Sequence, residues 1–584
     1  MRSHTCGDLT IKDVGKKVTL CGWDHSRRDH GGLIFIDIRD RYGLTQIVFH
    51  PDKKDIFRIA ESLRREDVIQ VTGKVARRPK GMENKSLKTG QIEVIVDSIK
   101  IINKAQTPPL EIEDRIDANE EMRLKYRYLD LRRPKMQHYL LIRHKAMLAA
   151  MRYLDSKGFV HIETPMLVRS TPEGARDYIV PSRVNPGKFY ALPQSPQLYK
   201  HILMIAGFDR YFQVARCLRD EDLRADRQPE HTQIDIEISF ADVPELLDIY
   251  EGLIKAIFKD AGKIEFKEKF KVMDYEDAML KYGTDKPDLR FGLELIDVTD
   301  IMTKSDFEVF KNEIKNKRIV KCINPAKDFS RNEIDDYIKF CQEHGAKGMA
   351  WMKVTKNELE SNIVKYFSKE LQKEIIKKTK AKNNSFLMFV AGKPKLVNEV
   401  LSKLRNKLGE DLGLIKKNEF KFCWIVNFPL FEWNEEESRW DPMHHIFTKP
   451  LDEDIKYLET DPGRVRCYQY DLVLNGVELG SGSLRIDNPE LQERVMKVIG
   501  ISHEQAQKRF GFLLEAYKYG APTHGGIGLG FDRIVAMMLG FNDIRDVIAF
   551  PKNKAAECPM DDSPSEVDEK QLKELNIKTD IAKG

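Results

Sequence analysis

Between Tyr211 and Glu237 the chain reads YFQVARCLRDEDLRADRQPEHTQIDIE. This stretch constrains the fold more than any other. An apolar strand runs into a charged loop that begins at Arg219-Asp220-Glu221, and Thr232-Gln233-Ile234-Asp235-Ile236-Glu237 follows as a second strand. Two antiparallel strands are thus joined by a long loop holding Arg219, Arg224 and Arg227. Such a hairpin sets fixed positive charge beside fixed carboxylates, and it suits a polyphosphate together with a polar small molecule.

A second arginine site lies near the far end, in Gly525-Gly526-Ile527-Gly528-Leu529-Gly530-Phe531-Asp532-Arg533. Glycines let a backbone approach a ligand closely. The apolar run from Ile534 to Leu539 reads as a helix, which places Arg533 near a helix start. Positive charge and free amide donors suit phosphate there. A dinucleotide-binding reading of these glycines would need a βαβ unit around them, and no Gly-Lys in the chain is followed by Ser or Thr, so no P-loop is present.

At 584 residues the chain is too long for one core, and several domains are expected. The net charge of +5 is small, so nucleic-acid binding requires basic residues focused locally. The eight cysteines are scattered and form no CxxC pair, which points to neither zinc nor a disulfide framework and suits a reducing cytoplasm. The first residues, MRSHTCGDLTIKD, lack an apolar signal core. No window approaches the ~20 apolar residues of a membrane span.

Residues 1 to about 104 read as an all-β module, with strands over Val18–Trp23, Leu33–Arg39, Leu44–Phe49, Val68–Val75 and Ile92–Ile102. Five short strands suit an OB-fold, which binds oligonucleotides. In the second strand Ile34, Ile36 and Ile38 share the core face, while Phe35, Asp37 and Arg39 share the other, leaving Phe35 available to stack on a base. A linker is expected over 105–130, broken by Pro108-Pro109. A helix follows from about His138 to Lys157, with Ile142, Ala146, Ala149 and Tyr153 on one stripe and Gly158 as its stop. Strand-rich sequence dominates from Gly187 to Phe240 and resumes at Phe422. The lysine-rich segment between, 290–418, looks inserted, and the tail beyond Pro551 is polar.

Together the two arginine segments resemble motifs 2 and 3 of the class II aminoacyl-tRNA synthetases. Motif 1 is matched by Gly158-Phe159-Val160-His161-Ile162-Glu163-Thr164-Pro165-Met166-Leu167. Gln194-Ser195-Pro196-Gln197-Leu198-Tyr199-Lys200 is similar to the subgroup for aspartate, asparagine and lysine. Thr171-Pro172-Glu173-Gly174-Ala175-Arg176-Asp177 and Met443-His444-His445 resemble its aspartate branch. The resemblance runs essentially end to end and is closest to the bacterial-type aspartyl-tRNA synthetases. It implies an α+β multidomain chain: an OB-fold anticodon-binding barrel over 1–104, a linker over 105–130, an antiparallel-sheet catalytic domain with helices over 131–289 and 419–555, an inserted α+β domain over 290–418, and an extension over 556–584.

The same resemblance implies activation of aspartate by ATP, then transfer to tRNA. Such a reaction rests on charge neutralisation and positioning. Arg219 would clamp the α-phosphate and the aspartate α-carboxylate, Arg533 the γ-phosphate, and Glu221 the adenosine end, with Asp220, Gln228, Gly530, Phe531 and Asp532 completing the ATP site. Asp471 and Glu478 match positions that hold Mg²⁺. Lys200 and Arg485 would read the side-chain carboxylate, both partly buried, and asparagine would be rejected because it leaves them under-compensated. Glu173, Ser195, Gln197 and Asp235 would receive the substrate ammonium, and His444, with His445 beside it, would close over the ligand. His231 departs from the family pattern, where a phenylalanine stacks on adenine.

For tRNA, the implied anticodon readers are Arg28, Phe35, Gln46 and Glu93. His30 and Gly81 resemble the non-discriminating form that charges both tRNA(Asp) and tRNA(Asn), whose product then passes to an amidotransferase. The alternative is a discriminating enzyme for tRNA(Asp) alone. The implied assembly, through motif 1, is a homodimer. Asparaginyl or lysyl specificity is opposed by the Lys200–Arg485 pair. An inactive RNA-binding paralogue is opposed by the joint presence of Arg219, Glu478, Arg485 and Arg533. An amide-forming ligase is opposed by the β-module.

Overall fold

The computed structural model describes residues 1–171, 175–223, 227–416 and 418–580. They form two compact units: Met1–Ile142 with Arg545–Glu566, and Arg143–Ile544 with the stretch from Val567 on.

In the first unit five strands close a barrel, in the spatial order Lys17–His30, Leu33–Asp40, Gly43–Phe49, Ile92–Asn103, Val68–Arg77. Ile34, Ile36 and Ile38 point inward, each 2% exposed or less, and pack with Leu20, Ile47, Val71 and Val94. The first strand runs seven residues past its expected end at Trp23. Its second half is polar, running from buried Asp24 through half-buried His25, Ser26 and Arg27 to exposed Arg28, Asp29 and His30, and ladder pairing with Leu33–Asp40 holds it extended rather than apolar burial.

Two short helices, Glu120–Lys125 and Arg127–Asp130, stand inside the stretch expected to be linker. Asn119 caps the first by accepting from the Met122 amide. The second carries Asp130, a fully buried carboxylate that accepts from Arg123, Arg127 and Arg133. Arg127 in turn donates to the carbonyls of Arg545, Ile548 and Ala549, which ties the later segment into this unit.

The second unit is built on an eight-stranded sheet. Its spatial order is Lys271–Asp274, Phe422–Val426, Gln469–Leu474, Val477–Leu484, His524–Gly530, Glu230–Ser239, Arg210–Leu218, Val160–His161. The sheet is mixed rather than purely antiparallel: the outermost strand at each edge runs parallel to its neighbour, and all inner pairs are antiparallel. A helix, Gln197–Ile205, interrupts the strand-rich stretch expected from Gly187 to Phe240. It buries Leu198, Lys200, His201 and Met204, so two of its inward positions are ionisable, which weakens its apolar period in the sequence.

Between the paired strands Lys271–Asp274 and Phe422–Val426 the chain makes a second, antiparallel sheet of five strands. Its central strand Phe386–Gly392 shows the two-residue period of a strand covered on both faces. Phe386, Met388 and Val390 enter one core, and Leu387 and Phe389 the other. Among the described residues no helix is long and apolar enough to cross a membrane.

Strands Val477–Leu484, His524–Gly530 and Glu230–Ser239 lie so close that glycine is required at the crossing. A Cβ on Gly526 would stand 2.1 Å from the Ile236 carbonyl oxygen and 1.9 Å from a Glu237 carboxylate oxygen. Gly526→Ala is therefore expected to cost about 1–3 kcal/mol through overpacking and to displace Glu237. The check is the urea midpoint of the second unit.

Candidate active site

One cavity of about 900 Å³ opens on the sheet of the second unit. Its floor is strand Glu230–Ser239 of the hairpin together with strands His524–Gly530 and Val477–Leu484. The expected residues Ser195, Gln197, Lys200, Arg219, Glu221, Gln228, Asp235, His444, Glu478, Arg485, Gly530, Asp532 and Arg533 all line it, as do His231 and His445. Asp220, Phe531 and Asp471 do not. Asp220 pairs with Arg176 at 3.5 Å, and Phe531 is buried beneath the Arg143 guanidinium. Glu173 and Arg224 lie outside the described residues.

Eight cationic side chains and five carboxylates are among the lining residues, an excess that suits an anionic ligand. Arg219, Glu221, Arg227 and Gln228 of the hairpin loop line the cavity, and the Arg219 amide donates to the Pro229 carbonyl. The Arg219 Nε is buried without a partner among the described residues. Glu221 is held by Arg227 at 2.8 Å. Arg533, third residue of the helix Phe531–Met538, donates to the Glu478 carbonyl at 2.7 Å. Its neighbour Asp532 accepts from the Thr232 amide and from Arg143, which locks the hairpin to the start of that helix. Burial, with Arg219 and Arg533 adding to it, pushes the His231 imidazole down to about 3. At neutral pH it is therefore an uncharged ring among guanidiniums.

At the other end lies a buried charge cluster. Lys200 is 1% and Arg485 4% exposed, so both are fully rather than partly buried. Nor are they under-compensated. Glu237 accepts from Arg485 Nε and Nη2 at 3.0 and 3.2 Å and stands 3.2 Å from Lys200, which also donates to Asp235 at 2.9 Å. Burial raises both carboxyls; in Asp235 it prevails, whereas in Glu237 the pull of Arg485 and Lys200 outweighs it and holds the group at about 2. Each cation keeps a donor in reserve. Two of the three Lys200 ammonium protons are used, and four of the five N–H groups of Arg485, counting those to Ser483 and Gly526.

Asp471 and Glu478 sit on the hairpin Gln469–Leu474/Val477–Leu484. Glu478 pairs with Lys286 at 3.0 Å and is held ionised by it against the effect of burial. Burial, and then the charge of Glu478, drives Asp471 well upward. Asp471 Oδ1 accepts from Gln469, but Oδ2 is buried with no partner among the described residues. An orphaned oxygen near a second carboxylate is a donor set that fits a hard divalent cation. His444 is neutralised chiefly by burial and packs edge-on against Phe428 at 4.8 Å.

Glu237 and Lys286 were not singled out from the sequence. Glu237 carried a signal, since it shares a strand face with Asp235 two residues earlier. Lys286 lies in a loop and carried none.

On the barrel of the first unit, Arg28, Phe35, Gln46 and Glu93 come together. Arg28 faces Phe35 across the first hairpin and donates to Asp37 at 2.9 Å and Gln46 at 3.4 Å. Gln46 donates on to Glu93 at 2.9 Å. Phe35 is half-buried beside this polar chain. His30 and Gly81 are exposed, and Gly81 has φ +88°.

Residues 119–554 match the family of class II tRNA synthetases (D, K and N), and residues 18–102 the OB-fold nucleic acid binding domain. The chain belongs to the class II tRNA synthetases. It is 52% identical over 583 residues to a protein of Caldanaerobacter subterraneus subsp. tengcongensis named aspartate–tRNA(Asp/Asn) ligase, spanning 99% of this chain and 98% of the relative. A relative from Ruminiclostridium cellulolyticum, named aspartate–tRNA ligase, is 49% identical over 579 residues, with 99% and 98% covered. Among solved structures, asparaginyl-tRNA synthetase from Pyrococcus horikoshii complexed with asparaginyl-adenylate superposes with a TM-score of 0.59 at 18% identity, over 94% of this chain and 97% of that one, which shows a shared fold.

The charge cluster sets a pH dependence. A carboxyl held below its ordinary value of 4.5 stabilises the fold fully above that value, and the contribution is lost as pH falls toward about 2. Glu237→Gln is expected to cost roughly 3 kcal/mol at pH 7. Between about pH 4.5 and 3 the wild-type urea midpoint should then fall more steeply than that of Glu237→Gln. Asp235 titrates with the opposite sign, and Glu237→Gln also removes a charge that raises it, so the difference reports the Glu237–Asp235 pair.

Proposed function

We propose that the protein is an aspartate–tRNA ligase, which couples ATP cleavage to formation of aspartyl-adenylate and then transfers the aspartyl group to the 3′ end of tRNA. The carrying observation is that one cavity joins Arg219 and Arg533 to the buried cluster of Lys200, Arg485, Asp235 and Glu237. In the first step the aspartate α-carboxylate attacks the α-phosphate in line and pyrophosphate leaves. No protein group gains or loses a proton, so catalysis is positioning and charge stabilisation. Arg219 spans the α-phosphate and the α-carboxylate with its planar fork, and Arg533 holds the γ-phosphate. Glu221, steadied by Arg227, contacts the adenosine end, and neutral His231 stacks on the base. Asp471 and Glu478 would hold Mg²⁺, which would supply neutralisation of phosphate charge.

Lys200 and Arg485 receive the substrate side-chain carboxylate through their reserve donors. Rejection of asparagine does not require an unbalanced pair of cations, because Glu237 already balances them. Lysine and arginine offer donors only, so a carboxylate oxygen is accepted where an amide NH₂ would set donor against donor. Glu173, Ser195, Gln197 and Asp235 take the ammonium, and His444 closes over the ligand.

For tRNA, the linked face of Arg28, Gln46 and Glu93, with Phe35 beside it, reads the anticodon. Relaxed specificity, covering tRNA(Asp) and tRNA(Asn), is supported by His30 and Gly81 and by the names of the relatives. The aspartyl-tRNA(Asn) so made requires an amidotransferase to become asparaginyl-tRNA. Exposed Val160, Met166 and Leu167 around motif 1 support a homodimer, and the eight free cysteines suit the cytoplasm.

Aspartate-dependent ATP–pyrophosphate exchange tests the first step. Arg219→Ala and Arg485→Ala should each lower it by about 10²-fold or more, and normal aspartate activation by Arg485→Ala would refute the side-chain assignment. For the second step, purified tRNA(Asp) and tRNA(Asn) are aspartylated side by side. His30→Leu with Gly81→Lys should weaken tRNA(Asn) charging selectively, by roughly tenfold. Gly81→Ala serves as the control for backbone strain at positive φ, and equal loss on both tRNAs would exclude a discriminating role.

A further inference from the structure

Behind Gln197, the cavity wall is backed by buried imidazoles that the activation scheme does not use. His201 lies one helical turn beyond Gln197, and its Nε2 stands 2.9 Å from the Gln197 amide nitrogen. His201 Nδ1 is 3.3 Å from His524 Nε2 and 3.0 Å from the Tyr517 hydroxyl. His524 Nδ1 is 2.7 Å from the Pro522 carbonyl oxygen. Both rings are fully buried, and they meet edge to face at 4.9 Å.

One proton arrangement satisfies this chain with both rings neutral. A carbonyl oxygen only accepts, so His524 Nδ1 carries its proton. His524 Nε2 is then a bare acceptor, and His201 Nδ1 must be the N–H that faces it, shared with the Tyr517 oxygen. His201 Nε2 is bare in turn, so the group opposite must donate, and the donor end of Gln197 is its NH₂. The Gln197 carbonyl oxygen is thereby left to the cavity that Gln197 lines. Burial favours the neutral form of both rings, and Arg485 opposes a further positive charge beside it.

We propose that His201 and His524 are positioning residues, locked as Nδ1–H tautomers, which hold the Gln197 amide with its oxygen facing the ligand as an acceptor for the substrate ammonium. The inference rests on the aspartate-activation reading above. His201, Glu237 and His524 also bring ligand atoms within 4.8 Å of one another, as a metal site would. Both Glu237 oxygens, however, already accept from Arg485 or Lys200, and two buried cations there repel a third.

The test is aspartate-dependent exchange by wild type, His201→Phe and His201→Gln, with succinate, which lacks the ammonium, as a competitive probe. Phenylalanine keeps a ring and removes the acceptor, whereas glutamine restores one. His201→Phe should raise the KM for aspartate roughly tenfold and leave the KM for ATP and the succinate inhibition constant unchanged. His201→Gln should recover most of the loss. If His201→Phe does not fold, His524→Leu, which removes the next acceptor in the chain, is read in the same way. An unchanged aspartate KM, or equal losses for aspartate and succinate, overturns the positioning role, as does a tightly held metal ion that the wild type carries and His201→Phe loses. Exchange that does not depend on aspartate in the wild type would instead refute the activation reading itself.

Discussion

The second unit is organised around one carboxylate. Glu237 is wholly buried on a central strand and is shared by Lys200 from a helix and Arg485 from just beyond strand Val477–Leu484, two places along the sheet. Two buried cations without it would each carry a large desolvation penalty. With it, they remain charged, rigid and aimed at the cavity. The glycine at position 526 exists to let this carboxylate in, since any side chain there meets it. The two imidazoles behind Gln197 stay neutral in part because the same cluster already holds its complement of positive charge.

Charge in this protein is therefore arranged by depth. At the buried end of the cavity cations and carboxylates are matched, so specificity is carried by the direction of the remaining N–H groups. At the phosphate end Arg219 and Arg533 face a more open volume, where excess positive charge attracts the ligand. The metal-type pair lies beside Lys286, whose ammonium already holds Glu478 ionised. The barrel uses a milder version of the same principle: Arg28, Asp37, Gln46 and Glu93 are mutually bonded, and the half-exposed ring of Phe35 stands beside them.

Much of this was legible in the sequence. The five barrel strands announced themselves through alternation and turn residues, and the two arginine segments through their glycines and charges. What stayed hidden was hidden for physical reasons. The polar half of the first strand is held by pairing, not burial, so its composition reads as loop. The Gln197–Ile205 helix buries a lysine and a histidine, which breaks its apolar stripe. Parallel edges of the main sheet depend on which distant strands meet, and local pattern does not encode that. Glu237 was visible as a strand residue, yet its partners lie 37 and 248 positions away.

That last separation bears on how the molecule is made. Strand Glu230–Ser239 leaves the ribosome well before Arg485 exists, with the whole second sheet to be synthesised in between. At about 5–20 residues per second, the carboxylates of Asp235 and Glu237 wait on the order of 10–50 s for their guanidinium. During that interval a strand destined for complete burial carries two anions with only Lys200 to balance them. The intervening segment begins and ends on adjacent parallel strands, so it can fold by itself without holding those neighbours apart. The buried cluster thus acts as a completion check: the sheet cannot close over balanced charges until Arg485 has been delivered.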